Sequence, residues 1–69
     1  MGFKLVDRDT GAQILPGDTV TTFRGQIGVL QDFTPPRHTT SSGRVLVNLG
    51  GTFATEWFPS VIGAEIVPV

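Results

Sequence analysis

No cysteine occurs anywhere in the sequence. That absence excludes disulfides, zinc ribbons, thiol redox chemistry and cysteine nucleophiles, and it fits a reducing compartment. Helical patterning is missing too, because no window sets apolar residues at i, i+3, i+4 and i+7 over three turns. No stretch approaches the ~20 apolar residues needed to cross a bilayer. The opening Met1-Gly2-Phe3-Lys4 lacks the long apolar run of a signal peptide. A soluble, cytoplasmic protein is expected, with no membrane partner. Lys4 is the only lysine, and the net charge is −1, so no global electrostatic pull draws the chain toward nucleic acid.

What is present is apolar for so short a chain. Hydrophobic residues make up 39% of the 69 and charged ones 16%, the reverse of the balance in disordered segments. A single folded domain over 1–69 is expected. A domain this small buries only about 60% of the surface that its unfolded chain exposes, so oligomerisation or a partner would strengthen it.

Runs of four to eight residues rich in Val, Ile, Phe and Thr recur between Gly, Pro, Asp and Ser, which is the spacing of an all-β protein. Phe3 to Asp7 is the first run. A turn at Asp9-Thr10-Gly11 follows, and Ala12-Gln13-Ile14 returns as a small hairpin. Residues 1–15 therefore form an N-terminal strand and hairpin, and 16–69 the rest. Pro16-Gly17-Asp18 leads into Thr19 to Phe23, Arg24-Gly25 makes a corner, and Gln26 to Phe33 is the longest strand. Gly28 inside it suggests a bulge or bend. Thr34 to Gly43 reads as a loop, Arg44 to Leu49 as a strand, Gly50-Gly51 as a two-residue hairpin turn and Thr52 to Phe58 as its partner. Pro59 to Gly63 suits one 3₁₀ turn, and Ala64 to Val67 closes the sheet.

Five or six strands are too few for two full layers. A strongly bent sheet closing on itself would solve both the core and the exposed edges, so one small barrel of antiparallel strands is expected. Its expected core is Val20, Ile27, Val29, Val45, Val47, Phe53, Trp57, Val61 and Ile66.

Pro16-Gly17-Asp18-Thr19-Val20, then Gly25 and Gly28-Val29-Leu30, resembles the KOW and related SH3-like barrels. Trp57-Phe58-Pro59-Ser60-Val61-Ile62 resembles the strand, 3₁₀ turn and closing strand that end them. The resemblance covers about residues 16 to 67 and implies an SH3-like barrel. It implies no single activity, because such barrels bind RNA, DNA, peptides and proteins. With its opening Asp7-Arg8-Asp9-Thr10-Gly11, then Pro16-Gly17-Asp18-Thr19-Val20-Thr21, Phe23-Arg24-Gly25 and Phe33-Thr34-Pro35-Pro36, the whole chain also resembles small proteins of bacteriophages and their bacterial hosts, which implies a phage or prophage setting. Type II dihydrofolate reductases share the architecture. Their pore segment Val-Gln-Ile-Tyr is matched here by Thr55-Glu56-Trp57-Phe58, so the pore chemistry does not carry over.

Chemistry-bearing residues are sparse. His38 is the only histidine and has no carboxylate within five residues on either side, so it reads as an exposed loop residue. Ser41, Ser42 and Ser60 lie in no nucleophile elbow. Asp7 and Asp9 lack the closing Glu of a Ca²⁺ loop, and Asp9 and Asp18 read as turn residues that accept from nearby backbone N–H groups. No catalytic residue, metal site or cofactor is expected.

The candidates for contact with a partner are Phe23, Arg24, Phe33, Arg37, His38, Arg44 and Phe58. The Thr34–Gly43 loop with Arg44 holds Arg37, His38 and Arg44 and no acid, beside five hydroxyls, a composition suited to a phosphate or an acidic peptide. Trp57 and Phe58 are strand neighbours and point to opposite faces, so Phe58 is expected on the face of Glu56. The sequence suits a non-enzymatic module that binds a protein partner or a copy of itself. The second expectation is a KOW-like nucleic-acid-binding barrel using Arg24, Arg37 and Arg44.

Overall fold

The computed structural model describes residues 2–37, 41–51 and 53–69. His38, named above as a contact residue, lies outside them, as do Met1, Thr39, Thr40 and Thr52. Seven strands and one 3₁₀ turn follow in order: β1 (Phe3–Asp7), β2 (Gln13–Ile14), β3 (Thr19–Thr21), β4 (Ile27–Thr34), β5 (Arg44–Asn48), β6 (Thr55–Trp57), the 3₁₀ turn (Pro59–Ile62) and β7 (Ala64–Pro68). They form two antiparallel sheets, a three-stranded one ordered β2-β1-β7 and a four-stranded one ordered β3-β4-β5-β6. The sheets are not closed into a barrel, so the expectation of a single closed sheet is not met. Two sheets facing one another share a core without ladder closure.

That core draws on both sheets and the 3₁₀ turn. Leu5 from β1, Ala64 from β7, Val20, Leu30, Val45 and Val47 from β3 to β5, and Ile62 are all buried, with Ile14, Phe33, Leu49, Trp57 and Ile66 packed around them. Backbone bonds tie the layers where no ladder runs. Phe23 N–H donates to the Val61 carbonyl at 2.9 Å, fastening the β3–β4 turn to the 3₁₀ turn. Pro59 sits at the start of that turn, where its fixed φ suits the geometry and its missing N–H costs nothing.

β4 is where the sequence-based core is wrong. Ile27 is 68% and Val29 43% exposed, while Leu30 between the sheets is fully buried. A one-residue phase change moves every side chain to the other face, and Gly28 fixes which phase wins. A Cβ at Gly28 would stand 2.8 Å from the Asn48 carbonyl oxygen and 2.9 Å from Val47 Cγ1, so only glycine fits inward there. The irregularity suggested for Gly28 lies instead at Gln31, between the pairs Leu30↔Val47 and Asp32↔Leu46. That extra residue resets the alternation, turning Asp32 outward and Phe33 inward.

Further expectations fail for local reasons. The β5–β6 connection is not a two-residue hairpin, since Val47↔Thr55 is the last pair and β6 begins only at Thr55, well beyond the end of β5 at Asn48. The Asn48 side chain accepts from Gly50 N–H at 2.7 Å and organises the start of that link. Phe53 therefore lies on a loop, 85% exposed, rather than on a core-facing strand. Val61 is half-buried. In the first turn it is Asp7, not Asp9, that accepts backbone bonds, from Asp9 N–H (2.8 Å) and Thr10 N–H (3.2 Å). Asp18 does act as a turn acceptor, from Leu15 N–H at 2.9 Å.

Candidate functional site

Four of the candidate contact residues line two depressions, Phe23 and Arg24 one and Arg37 and Arg44 the other. The first is built on the β3–β4 turn. Thr22 is buried, and its Oγ1 accepts from Arg24 N–H at 3.3 Å and Gln26 N–H at 3.2 Å, shaping a tight turn that holds Phe23 and Arg24 outward. Phe23 is 74% exposed, and the Arg24 guanidinium lies 5.6 Å from its ring centroid. With Gln26, Trp57 and Val61 they line an open hollow of about 280 Å³. Trp57, which pairs with Val45 and packs against the core, is partly buried and lines the hollow as well.

The second depression is a groove of about 320 Å³ between the β4–β5 loop and β6, walled by Pro35, Arg37, Ser41, Arg44 and Glu56. Its centre is Arg44. One guanidinium nitrogen donates to the Gly43 carbonyl at 2.8 Å, and the guanidinium carbon sits 4.0 Å from the Phe58 ring centroid. Gly43 holds that carbonyl in place. Its φ is +79°, and a Cβ there would stand 2.6 Å from both the Thr34 carbonyl oxygen and Ile66 Cδ1. Ser41 Oγ accepts from Gly43 N–H at 3.2 Å. The residue pair Thr34↔Arg44 ends the β4–β5 ladder, so Arg44 leaves the sheet from a fixed position.

Phe58 is half-exposed and Trp57 half-buried, which settles the strand-neighbour question in favour of Trp57 inside. Phe33 packs against the core and offers little surface. Glu56 was not among the sequence candidates. It pairs with Leu46 on the outer face, one row from the Arg44 and Phe58 ends of their strands, so only the β5–β6 register brings a carboxylate into the groove. Among the described residues that line it, the groove carries two guanidiniums and one carboxylate. Arg24 lines the other hollow, so the three arginines do not form one continuous basic track.

Among the described residues, no three His, Cys, Asp or Glu side chains gather as a metal site would require, and no helix is long and apolar enough to cross a membrane. No family model matches the chain, and neither a curated protein nor a solved structure matches it either.

Proposed function

We propose that this chain is a non-enzymatic interaction module that binds a protein partner or a copy of itself. The observation that carries the reading is the unused apolar surface. On the four-stranded sheet the inner face supplies Val20, Leu30, Val45 and Val47 to the core, while the outer face leaves Ile27 and Val29 exposed, and Phe58 just beyond β6 is half-exposed. Exposed aromatics on two loops, Phe23 and Phe53, add to it. Apolar side chains repeated on one solvent-facing strand face mark contact surfaces more often than scattered ones do. Sheet edges at β2, β7, β3 and β6 offer further pairing sites.

The architecture supports an SH3-like plan, with a meander of strands, a 3₁₀ turn and a last strand returning to the first. A phage or prophage setting, in the host cytoplasm, rests on the sequence resemblance alone.

A second reading has one observation in its favour. Arg24 over Phe23 and Arg44 over Phe58 pair a cation with a ring, as single-strand nucleic-acid platforms do. The net charge of −1 and the separation of Arg24 from Arg37 and Arg44 weigh against it.

Sedimentation across a wide concentration range tests the leading reading. The mass should rise above the monomer's 7.4 kDa or should do so on adding the partner protein, and the Ile27→Ser, Val29→Ser double variant should weaken that rise. A constant monomer mass, together with oligonucleotide binding that falls steeply with salt, would favour the second reading instead.

A further inference from the structure

We propose that the Arg44 groove is a binding site for a carboxylate-bearing segment of a protein partner, a site that rests on the interaction-module reading and specifies it. Arginine normally loses side-chain freedom when it binds, and here that freedom is already spent. The guanidinium carbon lies over the Phe58 ring, 4.0 Å from its centroid, and the Gly43 carbonyl holds one nitrogen at 2.8 Å. Among the described residues no other bond engages the guanidinium, so its remaining N–H donors can make the paired bonds that a carboxylate accepts. Arg37 on the same groove adds a second cation, so the described lining sets two positive groups against the Glu56 carboxylate.

Glu56 decides between classes of anion. A phosphodiester backbone presents repeated negative charges and no N–H donor to such a wall, so nothing on it offsets the repulsion from Glu56. A peptide carries an N–H on nearly every residue. It can offer a carboxylate to Arg44 while a neighbouring backbone N–H donates to Glu56. The groove is therefore matched to an acidic peptide segment rather than to a phosphodiester backbone.

The test is amide NMR of the whole chain with three probes at equal ionic strength: an acetylated, amidated peptide of alternating Glu and Gly, inorganic phosphate, and single-stranded oligothymidine. The peptide should move the amides of Gly43, Arg44 and Glu56 saturably, and more tightly than phosphate or oligothymidine does. Arg44→Lys keeps the charge but loses the planar fork, and should weaken the peptide roughly ten-fold. Phe58→Leu should act in the same direction by releasing the guanidinium, and a dispersed spectrum in each variant certifies the fold. Glu56→Gln should narrow the gap between peptide and oligothymidine. Absence of a saturable peptide shift, an Arg44→Lys variant that binds like the parent, or oligothymidine binding tighter than peptide would each overturn the site. So would phosphate matching the peptide, which would mark a small-anion site. A silent groove in a protein whose mass still rises with concentration overturns this assignment alone and leaves the interaction-module reading standing.

Discussion

The two faces of the four-stranded sheet carry similar side chains and have different fates. Inward, Val20, Leu30, Val45 and Val47 are buried against Leu5, Ile62 and Ala64. Outward, Ile27 and Val29 stand on the same strand as Leu30 yet meet no second layer. The inner face accounts for the fold. The outer face carries apolar surface that folding does not remove from water, at a free-energy cost of roughly 25 cal/mol per Å² that a partner would recover. The contrast teaches that apolar content alone does not separate core from contact surface in so small a domain.

Substitutions on each face can break that contrast. The largest effect is expected from Val47→Asp, which sets an unpaired charge at a fully buried position and should abolish the cooperative unfolding transition. Gly43→Ala comes next. It forces both a left-handed φ and a 2.6 Å clash, and should cost about 2 kcal/mol or more in urea unfolding while also freeing Arg44. Gly28→Ala, with contacts at 2.8 Å but ordinary backbone angles, should cost about 1–3 kcal/mol by the same measurement. Phe58→Leu should be the mildest, within roughly 1 kcal/mol of the parent, because the ring is half-exposed and its main partner is a surface arginine. If Phe58→Leu proved as damaging as Gly28→Ala, the outer face would be part of the fold and the contrast would fail.

Much of the local structure was legible. β1 follows from the apolar run ending at Asp7, and the 3₁₀ turn from Pro59. In β5 the order Arg-Val-Leu-Val-Asn, with polar ends and two β-branched residues two apart, admits one phase, and Val45 and Val47 are inside as expected. β4 was not legible because Ile27-Gly28-Val29-Leu30 supports either phase. The deciding fact is the room beside Asn48 and Val47, a property of the neighbouring strand. The failure to close into a barrel belongs to the same class, because the pairing of seven short strands is set by tertiary contacts rather than by any one run. In the candidate groove, the positions of Arg37 and Arg44 could be inferred from the acid-free loop. Glu56 could not, since it enters through a pairing of β6 with β5 that starts only at Thr55, beyond the point where Gly50-Gly51 suggested the turn.

The most direct test of the account compares equilibrium urea unfolding of Leu30→Ala with that of Ile27→Thr, two changes on one strand and on opposite faces. Leu30→Ala should lose about 2–5 kcal/mol, as a fully buried leucine does on truncation. Ile27→Thr, which keeps β-branching at a 68% exposed position, should stay within about 0.5 kcal/mol of the parent. Equal losses, or a larger loss from Ile27→Thr, would mean that the outer face is core and that the surface assigned to a partner is not free to bind one.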